Sequence, residues 1–130
     1  MKSLSILLAI LALTCAKPVL SQGVIPTMGT EFWVGFMENY DSQSSPHIDL
    51  FISSYQNTSG TVTMPLQGYS QSFTVTANTV TTVTLPLTGI NTGSETVGTK
   101  SFLVQTDDTV AVYALNFDVA TADAAAIFPT

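Results

Sequence analysis

Threonine and serine alternate with apolar residues along the middle of the chain. In GTVTMP, QSFTVTA and TTVTLP, which are residues 60–65, 71–77 and 81–86, apolar side chains occupy every second position. Successive side chains of a strand point to opposite faces, whereas a helix repeats every 3.6 residues. Threonine is β-branched and favours strands. The pattern therefore predicts strands with one face in a core and a threonine face outside.

Turn residues interrupt the apolar runs at short intervals, which is typical of sandwiches and barrels. We predict an all-β fold, an antiparallel β-sandwich of about seven short strands. The predicted strands are Phe32–Met37, Ile48–Ser54, Thr61–Met64, Ser72–Thr76, Thr81–Leu85, Phe102–Thr106 and Val110–Asn116. The sequence TDD at 106–108 is interpreted as a tight turn. Ala122–Ala126 is interpreted as a helical turn, or as a loop leading into another strand.

Two of these segments are apolar on both faces. Phe32–Met37 and VAVYAL at 110–115 lack the threonine face, which predicts central strands or strands covered on both sides. Trp33 is the only tryptophan of the chain, and we predict that it lies in the core. Gly35 would leave room for the indole on the same face. The alternative is an exposed Trp33 that stacks on a ligand.

The first 21 residues have the features of a secretory signal peptide. Lys2 precedes the apolar run Leu4–Leu13, which is too short to span a bilayer. We predict cleavage after Ser21, with a cut after Ala16 as the alternative. The predicted organisation is a signal peptide at 1–21 and a β-sandwich module at 22–130. The expected location is secreted, extracellular or at the cell surface.

Removal of the signal peptide makes the chain strongly acidic. Lys2, Lys17 and the only cysteine, Cys15, leave with it, whereas Lys100 and all nine acids remain, giving a net charge of −8. Nucleic acid is a poor partner for such a protein, because phosphate binding needs Lys or Arg. The mature chain has no cysteine for a disulfide, and we predict no membrane insertion.

Few residues could carry catalysis. His47 is the only histidine and follows a Ser/Pro-rich stretch, so we predict a solvated loop side chain and no hydrolytic triad. A zinc site with several His or Cys ligands is excluded. We therefore predict no enzyme activity and no cofactor. Calcium ligands are conceivable if two aspartate pairs fold to the same end of the sheet, although turn formation is the alternative. The candidates are Asp107, Asp108, Asp118 and Asp123.

A ligand platform of aromatic side chains is the remaining candidate site. Aromatic rings stack on sugars, and Asn and Gln supply hydrogen bonds to the sugar hydroxyls. The candidates are Trp33, Tyr40, Tyr55 and Tyr69.

Several short motifs resemble a known family. GTEFWVGFMEN, LFISS, GTVTMP, FTVTANTVTTVTLP, VAVYALN and TADAAAIFPT are similar to the N-terminal domain of the IgGFc-binding protein family. The closest likeness is to its branch in exported surface or gliding-associated proteins of Bacteroidota. The resemblance covers residues 27–130. It implies a β-rich extracellular module of adhesin-like proteins, without a catalytic residue or a residue-level ligand motif.

We therefore expect a non-catalytic adhesion or interaction module. A carbohydrate-binding module of a larger exported enzyme and a structural spacer in a surface fibre are the alternatives. The expected partners are a protein or glycan at the cell surface and further domains of the same polypeptide. The apolar sequence AAAIFPT at 124–130 suggests that the module is the first part of a longer exported protein.

Overall fold

The computed structural model describes residues 26–39, 46–119 and 121–130. Its strands are β1 Gly29–Val34, β2 Phe36–Met37, β3 His47–Ser53, β4 Thr58–Met64, β5 Tyr69–Val75, β6 Val80–Leu85, β7 Ile90–Asn91, β8 Phe102–Asp118 and β9 Thr121–Ile127. The only helical element in these ranges is the single 3-10 turn Leu87–Gly89. The predicted all-β fold is confirmed. The predicted signal peptide lies outside the described residues.

Strand β8 is the centre of the sheet. It is 17 residues long and pairs antiparallel with β1, β3, β4 and β9. Its first part pairs with β1 and β4, and its second part pairs with β9 and β3. Strand β5 continues the sheet beyond β4, and β6 continues it beyond β3. We call the order β1–β8–β4–β5 the first half-sheet and the order β9–β8–β3–β6 the second half-sheet.

The chain bends wherever it passes from one half-sheet to the other. In β8 the bend lies at 106–109, where the pairing with β1 shifts register. The chain also changes half-sheets in the connections between β3 and β4 and between β5 and β6. Hydrogen bonds join all three, because the Asn78 N–H donates to the Ser54 carbonyl at 2.8 Å and the Ser54 hydroxyl donates to the Thr109 carbonyl at 2.8 Å. Bent strands of this kind form the corners of folded sheets.

Both half-sheets turn their inner faces towards one core. Its buried residues include Phe32, Val62, Phe73 and Val104 from the first half-sheet and Ile48, Leu50, Ile52, Val83 and Val112 from the second. The rings of Phe36 and Tyr69 meet the ring of Phe102 edge-on, at centroid distances of 5.9 and 6.0 Å. The predicted arrangement of β4, β5 and β6, with apolar residues inside and threonines outside, is confirmed.

The turn predicted at Thr106–Asp108 is wrong, because β8 runs through these residues. The two aspartates that suggested a turn instead form hydrogen bonds with hydroxyl groups of β4. The Ser59 hydroxyl donates to the Asp107 carboxylate, and the Asp108 N–H donates to Thr58 Oγ1 at 3.0 Å. The Thr106 hydroxyl donates to the Asp108 carbonyl at 2.8 Å. The segment bends but remains in the sheet.

The helical turn predicted over Ala122–Ala126 is also wrong. These residues belong to β9, which pairs with β8 from Thr121 opposite Asp118 to Ile127 opposite Val112. Alanine favours helices in isolation, but tertiary contacts readily override that weak preference. The alternative, a loop leading into another strand, agrees better with the structure, although these residues themselves form the strand.

The two segments that are apolar on both faces are not covered on both faces. In β1, Phe32 and Val34 are buried, but Trp33 is 46% exposed. In β8, Val112 and Ala114 are buried, but Tyr113 is 51% exposed. The prediction of a core Trp33 is therefore wrong. One face of each segment packs into the core, and the other carries apolar side chains on the surface.

Candidate interaction surfaces

On β8 and β9, the outward face of the second half-sheet is apolar and partly aromatic, whereas β6 carries Thr82 and Thr84 there. Tyr113 lies directly opposite Phe51 of β3 on one side and Ala126 of β9 on the other. Residues paired in this way point to the same face of a sheet, and the pattern repeats at every second position along β8. These positions form a surface that we call the aromatic face: Phe51, Tyr113, Leu115, Phe117, Ala122, Ala124 and Ala126.

Two polar residues of β3 lie beside the aromatic face. His47 begins the strand rather than lying in a solvated loop, and its ring stacks on Phe117 with centroids 4.6 Å apart. His47 Nε2 lies 3.5 Å from Asp49 Oδ2, and the Thr84 hydroxyl donates to Asp49 Oδ1 at 2.6 Å. Asp49 is only 7% exposed. The surface therefore presents mainly rings and methyl groups rather than this carboxylate.

Strand β9 borders the aromatic face and ends the second half-sheet. Within the described residues, β8 is the only strand that pairs with it. The backbone of such an edge strand presents N–H and C=O groups that can pair with another chain, and charges or proline usually protect it. The sequence of β9, TADAAAI, contains one charge, Asp123, and no proline. Residues Thr121–Ala126 are all exposed, and at the start of the strand Asn39 Nδ2 donates to the Thr121 carbonyl at 3.3 Å.

The outward face of the first half-sheet has a different composition. It is mostly hydroxyl-bearing and contains Ser59, Thr61, Thr63, Ser72, Thr74 and Gln105. Gln105 Nε2 donates to Glu31 Oε2 at 3.0 Å, across the β1–β8 pair. Trp33 and its partner Leu103 are the apolar exceptions on this face.

Trp33 also borders a groove between the end of β1 and β9. The groove has a volume of about 270 Å³, and its lining includes Met37, Asp123 and Ile127. Asn116 Nδ2 donates to the Met37 carbonyl at 2.8 Å and thereby ties the segment after β1 to β8. Trp33 is therefore neither a core residue nor an isolated side chain in solvent.

The structure does not assemble the predicted aromatic platform. Tyr55 is 77% exposed in the connection between β3 and β4 and does not line the Trp33 groove. Tyr69 points inward against Phe102, and burial raises the pKa of its hydroxyl above the usual value. Tyr40 lies outside the described residues. The predicted residues that remain exposed therefore lie in two separate places.

Sequence reasoning missed Tyr113 as a surface residue. In VAVYAL, the run of apolar residues suggested a covered strand, but tyrosine carries a hydroxyl that favours contact with water. Its position, in phase with Ala111 and Leu115 and out of phase with Val110 and Val112, was the available signal. This phase places Tyr113 on the outward face.

The four candidate aspartates lie apart. Asp107 and Asp108 occupy the bend of β8, whereas Asp118 ends that strand, about 33 Å further along at the usual rise per residue. Asp123 pairs with Asn116 on β9. The condition for a calcium site, that both pairs meet at one end, is not met. Among the described residues, no group of three or more His, Cys, Asp or Glu side chains could hold a metal ion.

Comparison of the chain with protein-family models, curated proteins and solved structures gives no match. The resemblance to the IgGFc-binding protein family therefore rests on the sequence motifs alone. In the described part of the chain, no helix has the length and apolar character needed to cross a membrane.

Proposed function

We propose that this chain is a non-catalytic interaction module of a secreted or cell-surface protein. It binds a protein partner through the aromatic face and the edge of β9. One observation carries the proposal: the exposed ring of Tyr113 lies beside a row of alanines on β9, an edge strand that pairs on one side only within the described residues. Apolar patches of this kind mark interaction sites on soluble proteins.

The chemistry of the surface favours a partner with an extended segment. Such a segment adds to β9 through backbone hydrogen bonds, and its alternate side chains lie over the alanines. Ala122, Ala124 and Ala126 lack bulk, so the partner's side chains can reach the rings of Tyr113 and Phe117. Aromatic anchors of this kind contribute most of the binding energy at protein interfaces.

A structural spacer is the weaker alternative. A featureless threonine surface favours it, and such a surface covers β4 and β5 of the first half-sheet but only β6 of the second. The second half-sheet exposes Tyr113, which a spacer does not need. The family resemblance supports the same choice, because it implies adhesin-like modules of exported proteins, in particular those of Bacteroidota.

Peptide display tests the proposed surface. A library of random peptides is selected on the mature chain, and the enriched peptides are titrated against the variants Ala124→Lys and Ser72→Lys. Ala124 is an exposed β9 residue of the aromatic face, and Ser72 is exposed on β5 of the first half-sheet. We expect Ala124→Lys to weaken peptide binding by about tenfold or more, because it places a charge at the edge.

Ser72→Lys is the matched control and should leave the affinity unchanged. Bound peptide should also slow amide hydrogen exchange in β9, as expected when a new strand pairs with an edge. The proposal is wrong if no peptide is enriched, or if Ala124→Lys and Ser72→Lys bind the enriched peptides equally well.

A further inference from the structure

A second depression lies at the corner between the half-sheets. Its volume is about 430 Å³, within the range of small-ligand sites, and its lining includes Ser53, Tyr55, Asn78, Ala111 and Tyr113. We call it the corner cleft. It is separate from the Trp33 groove, because the two have no lining residue in common.

The cleft exists because one row of outward-facing side chains is small. Ser53 of β3 lies directly opposite Ala111 of β8, and these two residues form its floor. The next outward-facing pair along the same strands is Phe51 and Tyr113. At this step from small to large side chains, Tyr113 forms a wall on one side of the floor.

Two tyrosines border this floor. Tyr55, in the connection after β3, is 77% exposed, and Tyr113 is 51% exposed. A tyrosine ring offers an apolar face for packing and a hydroxyl for hydrogen bonding. Both tyrosines line the cleft, so a ligand there can touch both rings.

The polar groups of the cleft are neutral and their backbone is fixed. Asn78 adopts a left-handed backbone conformation with φ 59°, and its N–H donates to the Ser54 carbonyl at 2.8 Å. Thr79, the next residue, also lines the cleft, and its hydroxyl donates to the Thr76 carbonyl at 2.8 Å. The Asn78 amide and the Ser53 hydroxyl are therefore carried on ordered backbone at the rim and floor.

Charge further limits the class of ligand. None of the described residues that line the cleft is charged. The mature chain has a net charge of −8 if residues 1–21 are removed, which disfavours anionic ligands through long-range repulsion. Two exposed rings with amide and hydroxyl groups suit a ligand that has apolar faces and many hydroxyls.

We propose that the corner cleft binds a neutral saccharide. The rings of Tyr55 and Tyr113 pack against the faces of sugar units, and Asn78 and Ser53 exchange hydrogen bonds with sugar hydroxyls. The glycan site shares Tyr113 with the aromatic face, but Tyr55, Asn78 and Ser53 lie outside that face, so either proposal can fail without the other.

An array of neutral, sialylated and sulfated oligosaccharides, probed with the mature chain, tests the proposal. We expect binding to neutral oligosaccharides only. The best neutral oligosaccharide is then titrated calorimetrically against Tyr55→Ala and Tyr113→Ala, and each variant should bind about tenfold more weakly or worse. Tyr55→Phe keeps the ring and should retain most of the affinity.

Two controls separate this site from the rest of the surface. Trp33→Ala removes an exposed aromatic residue outside the cleft, and Ala124→Lys alters the edge of β9, so both should bind the oligosaccharide as the parent chain does. Melting temperatures confirm that each variant is folded. The proposal is overturned if no neutral oligosaccharide binds, if only acidic ones bind, or if binding survives Tyr55→Ala.

Discussion

The two half-sheets share one core and one central strand, but the outward sides of their strand pairs β4–β5 and β3–β8 have opposite characters. In the first half-sheet, Thr61 and Ser72 face each other across the outside of β4 and β5. In the second, Phe51 and Tyr113 occupy the corresponding kind of pair on β3 and β8. The inner faces have to be apolar for the sheet to fold around a core. The outward faces are not constrained in this way, so their difference points to contacts made by one of them.

The comparison also separates strand formation from function. Threonine on an outer face satisfies its hydroxyl with water and still favours the strand. Tyr113 and Phe51 favour the strand equally well but leave apolar area in solvent, which does not stabilise the isolated module. We therefore interpret the threonine surface of β4 and β5 as the result of strand formation alone. We interpret the exposed apolar area around Phe51 and Tyr113 as a contact surface for a partner.

The largest effects should come from the shared core. Phe32→Ala in the first half-sheet and Leu50→Ala in the second should each lower the free energy of unfolding by about 2–5 kcal/mol. Both side chains are fully buried in one cluster. Chemical denaturation followed by circular dichroism should give one cooperative transition for each variant. Two separate transitions would show that the half-sheets are independent and would invalidate the comparison.

Trp33→Ala tests the apolar exception on the first half-sheet. Because Trp33 is 46% exposed, we expect the free energy of unfolding to fall by about 1–2 kcal/mol, less than for a core aromatic residue. The wavelength of maximum tryptophan fluorescence of the parent protein should lie between those of buried and fully hydrated tryptophan. A loss as large as that of Phe32→Ala would mean that the indole is a core group after all.

Exchanging the outward pairs Thr61–Ser72 and Phe51–Tyr113 tests whether these side chains cause the difference in surface hydrophobicity. Thr61→Phe with Ser72→Tyr rebuilds the Phe51–Tyr113 pair on the first half-sheet. We expect stability to change by no more than about 0.5 kcal/mol, as for most surface substitutions, while binding of a hydrophobic dye increases. Phe51→Thr with Tyr113→Ser should decrease dye binding. Equal dye binding by all three proteins would contradict the assigned difference.

The smallest effect concerns Tyr69, the tyrosine that faces inward. Burial raises the pKa of its hydroxyl in the folded state above the usual value of about 10. As the pH rises above about 10, the unfolded chain loses this proton first, so stability falls until the raised folded pKa is passed. Tyr69→Phe should remove the part of the stability loss at alkaline pH that comes from this hydroxyl. Unfolding curves of the parent protein and of Tyr69→Phe, measured at several alkaline pH values, test this expectation. If the free energy of unfolding depends on pH identically in both proteins, Tyr69 makes no such contribution.

The fold class could be predicted because alternation is a local property of the sequence. The apolar positions of β4, β5 and β6 mark the core face without knowledge of any partner strand. The fate of Asp107 and Asp108 could not be predicted, because it depends on hydroxyls of Thr58 and Ser59 from distant sequence. Strand β9 was missed for a related reason, since only its pairing with β8 outweighs the helix preference of alanine.

The surface sites were harder to predict than the fold. Tyr55 was identified from its residue type and is exposed, but its neighbour Tyr113 comes from a segment that sequence alone assigned to a covered strand. Trp33 illustrates the same limit. An apolar residue between apolar neighbours is ambiguous, because the sequence does not reveal whether a second layer covers the outward face.

The position of β8 along the chain governs when the molecule can assemble. Phe32 pairs with Val104, and Leu50 pairs with Ala114, so both half-sheets depend on a strand that follows β1 and β3 at a long distance in the sequence. Folds dominated by such distant pairings fold slowly, in milliseconds to seconds. Before β8 is synthesised, the β3–β6 and β4–β5 ladders have no central strand to join them. The shared core is therefore incomplete until β8 has been made.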